Sequence, residues 1–455
     1  MTPLWTSEEV AKATGGTVHG DFTCEGVTFD SREVIGGELF IAMKGEAADG
    51  HDYVASAFER GAAGAVVSQP VDGPHVLVED GFAALEALGR AARKRASNAK
   101  IVGVTGSVGK TSVKEAIRHA FGAAEPERTH WSVKSYNNHT GVPLSLARMP
   151  ADTRYGVFEM GMNHAGELSA LTRHVRPHVA LITAIAPAHI EFFESEEAIA
   201  DAKAEIFEGL EPGGTAIVPF DSAHYKRLRN HAETHADRVL TFGTSEEADV
   251  HLERSAMMDG ERAVVANLRG EVVALVLKQP GKHWISNALA ALAVVHACGG
   301  DLAAAGLGIG EMEGLAGRGA RHEIEWKGGT VRLLDESYNA NTASMRAALD
   351  VLGTADGEGR RIAVLGAMKE LGARSDELHE SLAEPIRSAN AGPVALVGTE
   401  MQPLAKLLDA PLFDSAAEAE DWLCAELQAG DTVLVKGSNS IGLSRIVTSL
   451  TRGDA

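Results

Sequence analysis

The run Gly103-Val-Thr-Gly-Ser-Val-Gly-Lys-Thr-Ser112 carries the residue types that a triphosphate demands. Backbone N–H groups of a glycine-rich turn can surround phosphate oxygens, and a helix that follows adds the positive end of its dipole. Gly106 and Gly109 let the backbone approach with no Cβ in the way. Lys110 then reaches the β- and γ-phosphates, and the Thr111 hydroxyl is placed to ligate Mg²⁺. On this reading Gly106, Ser107, Val108, Gly109, Lys110, Thr111 and Ser112 contact ATP. Val104 stands where the general G-x-x-x-x-G-K-[ST] pattern has glycine, so the fit is to a T-G-x-x-G-K-T variant.

Three further residues could share that chemistry. Glu159 lies near the C-terminal end of a strand read at Tyr155–Met160, on the side of a parallel sheet where ligands bind; it is either a divalent-ion ligand or a rim carboxylate. His189 and Glu191 follow another run, Val179–Ile185, on the same side, and a lone histidine there is either functional or structural. Lys203 interrupts the stripe Ile199, Ile206, Phe207, Leu210 at position +4 from Ile199, on the face that should be buried. A lysine there must snorkel, pair with an acid, or change its chemistry. An amine neutralised by burial can add CO₂ and become a carbamate, an oxygen ligand for Mg²⁺.

Positioning these groups requires alternating strands and helices. Residues 1–98 read as a small α/β unit, with strands at Leu39–Met43, Ala63–Val67 and Val76–Val78 and helices at Asp52–Arg60 and Gly81–Ala96. Residues 99–315 read as a parallel sheet covered by helices on both faces, with strands at Ile101–Thr105, Tyr155–Met160, Val179–Ile185 and Thr215–Phe220 and a helix near Ser195–Leu210. Val250–Leu252, Ala263–Leu268 and Val272–Leu277 alternate like an antiparallel meander, before a helix at Asn287–Ala297. Gly314–Gly319 reads as a hinge. Residues 316–455 then form a third, Rossmann-like α/β unit, with strands at Val331–Leu334, Ile362–Leu365, Val394–Val397 and Thr432–Val435.

The charge sum, 42 − 63 = −21, disfavours a general nucleic-acid binder, because so acidic a surface repels phosphate backbones. Cys24, Cys298 and Cys424 are too scattered for a disulfide framework or zinc knuckle and suit a reducing compartment. Met1–Val10 contains Glu8 and Glu9 and no apolar core of a signal peptide, and no apolar run approaches the ~20 residues of a membrane span. The expectation is a cytoplasmic multidomain protein.

Taken together, these residues resemble the Mur ligase family, the ATP-dependent amide-forming enzymes of peptidoglycan precursor synthesis. The resemblance covers essentially the whole chain. It is carried by Asp30-Ser31-Arg32, Gly37–Ala42 and Asp49–Tyr53 in the first unit. In the second it is carried by Thr105–Ser112, Asn137-Asn138-His-Thr-Gly141-Val-Pro143, Glu159–His164 and Ala202-Lys203-Ala-Glu-Ile-Phe207. Gly317-Arg318, Asp335-Glu336-Ser337-Tyr338-Asn339-Ala340-Asn341, Val364–Gly372 and Lys436-Gly437-Ser438 carry it in the third. Trp284, Glu336, Thr342, Ala367 and Asn439 depart from the family's usual residues, while Asn287 matches the adenine-side motif.

The resemblance implies a UDP-sugar-binding first domain, with Ser31, Arg32, Asn137 and Asn138 on substrate. It implies ATP held by the phosphate loop together with Asn287, Arg318, Asp335, Tyr338 and Asn341. Two Mg²⁺ would sit on Thr111, Glu159, His189 and a carbamylated Lys203, with Lys110, Lys203 and His189 in catalysis. The partners implied are a UDP-N-acetylmuramoyl-tripeptide and D-alanyl-D-alanine, with no nucleic acid and no membrane span, on a monomer. The competing expectations are a diaminopimelate-adding or folylpolyglutamate-type ligase, a non-ligase P-loop ATPase, and a non-catalytic scaffold.

Overall fold

Nine strands form the central sheet of this computed structural model, which describes residues 3–45, 48–188, 190–258, 261–279, 281–355, 357 and 359–453. Its strand Lys100–Thr105 is paired on both sides, and Ile101, Val102 and Val104 are fully buried and β-branched, as a strand covered on both faces requires. Tyr155–Glu159 pairs with it in parallel on one side and Val179–Ile182 on the other. Thr129–Trp131 lies beyond the first, and Thr215–Pro219 and Arg238–Gly243 beyond the second. The chain therefore changes direction across the sheet at Lys100–Thr105, and the phosphate loop leaves that strand at the switch point where open α/β sheets bind ligands.

Helices cover both faces. Lys110–Gly122 and His283–Cys298 bury Val113, Ile117, Leu289 and Leu292 against one face. Glu167–Val175 and Glu196–Ala204 bury Leu168, Leu171 and Ile199 against the other. The Glu196–Ala204 helix is N-capped by Ser195, whose hydroxyl accepts from the Ala198 N–H.

Several elements differ from the expectations. The Val179 strand stops at Ile182, and the next residue, Thr183, keeps its N–H on the Thr105 carbonyl at 2.9 Å while its side chain turns to the phosphate loop. The helix expected over Ser195–Leu210 ends at Ala204 and tightens into a 3-10 turn, Glu205–Gly209, which presses against the Glu167–Val175 helix through a Thr172 Oγ1 to Ile206 carbonyl bond. The expected meander is antiparallel within itself, but Phe242↔Val250 pairing joins it in parallel to the central sheet, so it extends that sheet.

The first unit is a five-stranded sheet ordered 17–19, 75–77, 64–67, 38–41, 26–28. Its helix Gly81–Arg95, capped by Asp80, packs on Gly141–Ala147 of the central unit, so Leu144 and Ala147 belong to the first unit's core. The Trp5 indole donates to the Ala147 carbonyl at 2.9 Å across the same boundary.

The third unit is a six-stranded sheet with an antiparallel edge, Ala320–Trp326, that the sequence reading did not anticipate. Its parallel strands Gly329–Glu336, Thr432–Lys436, Arg361–Gly366 and Val394–Val397 lie between two apolar layers. The expected hinge Gly314–Gly319 is pinned at its end: Gly317 N–H donates to Asp335 Oδ2 at 2.6 Å, and Gly319 N–H to the Asp335 carbonyl at 2.9 Å. The fold is thus three-domain α/β. No helix among the described residues is long and apolar enough to cross a membrane.

Candidate active site

A cavity of about 1020 Å³ opens between the phosphate loop and the third unit. Strand Lys100–Thr105 delivers the loop, and helix Lys110–Gly122 begins directly behind it. Gly109 adopts φ +82 at the helix N-cap, and Gly106 adopts φ +151 where a Cβ would lie 2.0 Å from Thr183 Oγ1. Only glycine fits that second position. Thr183 Oγ1 donates to the Val108 carbonyl at 2.6 Å, so a side chain from the neighbouring strand's end holds the loop's curvature. Thr183 was not singled out in the sequence; its one signal is a hydroxyl residue at the C-terminal end of a parallel strand.

Ser107, Val108, Gly109, Lys110 and Ser112 line the cavity. Lys110 Nζ donates to the Gly106 carbonyl at 2.7 Å, folding the side chain back over its own loop. Burial lowers its pKa; Glu159 opposes that shift and Arg318 adds to it.

Glu159 is 1% exposed, and both of its oxygens are engaged. Thr111 Oγ1 donates to Oε2 at 2.9 Å and Asn137 Nδ2 donates to Oε1 at 2.8 Å. The hydroxyl and carboxylate expected to meet Mg²⁺ therefore stand side by side, with Asn137 steering the carboxylate.

Lys203 is 1% exposed, and its Nζ has no hydrogen-bond partner among the described residues. Burial first, and the charge of Lys110 second, push its pKa well below the lysine range, against the pull of Glu205 and Glu167. The stripe position read from the sequence is real: Ile199, Ile206 and Phe207 are fully buried around it. His189 lies outside the described residues.

The opposite wall belongs to the third unit. Arg318 stacks its guanidinium 4.2 Å from the centre of the Tyr338 ring and donates to Ser135 Oγ at 3.4 Å, joining the two walls. Asn341 lines the cavity while its Oδ1 caps helix Thr342–Gly353. Glu336 and Lys436 also face the cavity, 3.6 Å apart; burial raises the glutamate's pKa and lowers the lysine's, each opposed by the other's charge. Asn287 lines the cavity beside Gly109.

Not every expected site residue reaches this cavity. Asp335 is buried behind it and accepts from Gly317 N–H, Ser337 N–H and Ser337 Oγ, so it shapes the turn that presents Arg318. Ser31 and Arg32 sit in the first unit, where Arg32 pairs with Asp30 at 2.7 Å. Asn137 and Asn138 do line the cavity.

The three segments of the chain match three family descriptions in order. "Mur ligase family, catalytic domain" matches residues 23–104, "Mur ligase middle domain" matches 104–295, and "Mur ligase, glutamate ligase domain" matches 320–439. The UDP-N-acetylmuramoyl-tripeptide–D-alanyl-D-alanine ligase of Rickettsia prowazekii is 31% identical over 98% of this chain and 99% of its own. The chain belongs to the Mur ligase family. The Escherichia coli ligase of the same name is 34% identical over 98% of both chains. Among solved Mur ligases, MurF from Acinetobacter baumannii superposes with a TM-score of 0.84 at 29% identity, over 99% of both chains. MurF from Thermotoga maritima in complex with ADP superposes at 0.75 and 26% identity, over 94% of this chain and 97% of that one. The Mur ligase fold thus extends over all three units.

Proposed function

We propose that this chain joins D-alanyl-D-alanine to UDP-N-acetylmuramoyl-tripeptide through an acyl-phosphate intermediate, with cleavage of ATP to ADP and phosphate, in peptidoglycan precursor synthesis. One observation carries the reading. A single cavity is walled by the phosphate loop on one side and by the Arg318–Asn341 segment on the other, in a chain that aligns end to end with ligases of that activity.

The chemistry follows from the groups present. The γ-phosphoryl passes to the tripeptide's terminal carboxylate and leaves ADP. The amine of D-alanyl-D-alanine attacks the acyl phosphate carbon, loses a proton, and expels phosphate as the amide forms. Phosphoryl transfer is mainly a problem of positioning and charge neutralisation. Gly106–Ser112 bind and orient the phosphates, with Lys110 the fixed cation. Asn287 is assigned to the adenine side, and Arg318, Tyr338 and Asn341 to closing the opposite wall over the nucleotide and excluding water. Asp335 supports them from behind through the Gly317 turn. Ser31 and Arg32 are assigned to the UDP end of the substrate, and Asn137 and Asn138 to its reacting end.

The residues present fit Mg²⁺. Thr111 and Glu159 offer adjacent hard oxygens, and the buried Lys203 amine, without a hydrogen-bond partner among the described residues, supports its reading as a carbamate. Lys203 as carbamate and His189 are assigned to a second ion. Bound Mg²⁺ neutralises the triphosphate and the charge developing on the transferred group. We take residues 1–98, 99–315 and 316–455 as the three domains, and the molecule as a cytoplasmic monomer. ADP release measured across a panel of UDP-muramoyl peptides and amines tests the reading. Comparable turnover with a dipeptide precursor and diaminopimelate would overturn it.

A further inference from the structure

Segment 132–138 connects parts of the molecule that the mechanism uses separately. Asn137 steers Glu159, and Ser135 receives Arg318 from the third unit. The segment is tied from behind by Lys114, a fully buried ammonium on the phosphate-loop helix that donates to the Ser132 carbonyl at 2.8 Å and the Lys134 carbonyl at 3.2 Å. It is tied from the other side by Glu33 of the first unit. Glu33 Oε1 accepts from Tyr136 OH at 2.7 Å and from Lys134 Nζ, while Oε2 lies 3.4 Å from Arg148 Nη2. Lys134 itself adopts φ +52, the left-handed region that a lysine rarely occupies. Such backbone persists where surrounding contacts over-determine it. Here Glu33 grips its side chain and Lys114 its carbonyl.

We propose that Glu33 is a positioning residue for Glu159, acting across the domain boundary through Lys134 and Tyr136. The path is short: Glu33 fixes Lys134 and Tyr136, Tyr136 precedes Asn137, and Asn137 holds Glu159 Oε1 beside Thr111. Burial works against a charge on Glu33, yet the bonds from Lys134 and Tyr136 outweigh it and keep the carboxyl below its usual range. The first unit therefore contributes to the cation end of the nucleotide site as well as to the substrate end. This rests on the nucleotide reading above.

The test is calorimetric binding of ADP to the full chain, with Mg²⁺ and separately in EDTA. Glu33→Gln should weaken binding 3- to 10-fold with Mg²⁺ and leave binding in EDTA within 2-fold, because the loop N–H groups are untouched. Tyr136→Phe, which removes one of the two grips and keeps the ring, should show a smaller loss of the same kind. In an Asn137→Ala background, Glu33→Gln should add nothing, since the connection is already cut. Equal losses with and without Mg²⁺, no loss in either, or effects that multiply with Asn137→Ala would overturn the proposal and leave the nucleotide reading standing. A wild-type chain that binds no ADP in either condition would overturn the nucleotide reading, and the proposal with it.

Discussion

Thr111 Oγ1 donates to Glu159 Oε2 at 2.9 Å, joining the first turn of the phosphate-loop helix to the end of the adjacent strand. Glu159→Gln keeps that shape and removes the charge. The expected outcome is a fall in kcat of at least about 100-fold. ADP affinity in EDTA should stay unchanged. Near-normal turnover would show that the carboxylate does not meet the metal.

Lys110 folds over its own loop and is its fixed cation. Lys110→Ala should cost at least about 3 kcal/mol of transition-state stabilisation, read as a loss of kcat/KM for ATP of 10²-fold or more. A variant within a few-fold of wild type would place the reacting phosphates elsewhere.

Lys203 sits in an apolar shell with an amine that bonds to nothing among the described residues. Lys203→Ala should fold, with Tm changed by only a few degrees, and lose most turnover. A short carboxylic acid in solution should restore part of it by occupying the vacated oxygen position. Full activity without any added acid would refute the carbamate.

His130 is held neutral. Burial lowers its pKa from 6.5 to about 4, Arg148 adds to the shift, and its Nε2–H donates to the Ser145 carbonyl at 2.8 Å. Its folded-state value lies below its unfolded one, so the unfolded chain takes up the proton first as pH falls. The stability it protects is complete above about pH 6.5 and is lost as pH drops towards 4. Thermal unfolding from pH 7.5 to 4.5 should show a shallower decline for His130→Gln than for wild type. Parallel curves would contradict the assignment.

Legibility in the sequence followed locality. The phosphate loop was readable because one short run contains both the glycines and the Lys-Thr pair. Lys203 was readable because a helix repeats every 3.6 residues, and its burial beside Ile199, one turn earlier in Glu196–Ala204, fits that repeat, while Ile206 and Phe207 are buried from the 3-10 turn that follows. Among the strands that escaped, Thr129–Trp131, Arg238–Gly243 and Ala320–Trp326 are short or carry exposed polar residues, so apolar runs did not mark them. Ser135 and Arg318 are 183 positions apart, and Thr183 meets Val108 across 75, so their partnership depends on sheet order and not on spacing. Asp335 shows what a motif leaves out: an acid there invites a ligand role, while the structure engages its Oδ1 with Ser337 of its own turn and its Oδ2 with the Gly317 N–H of the preceding glycine-rich segment.

The bond from Thr183 to the Val108 carbonyl has a thermodynamic consequence. A loop already curved and clamped from the neighbouring strand has few conformations left to lose when an anion arrives. The ordering entropy is settled when the chain folds, so the loop presents a preorganised cradle, and nucleotide association should proceed with little backbone reorganisation around residues 106–109.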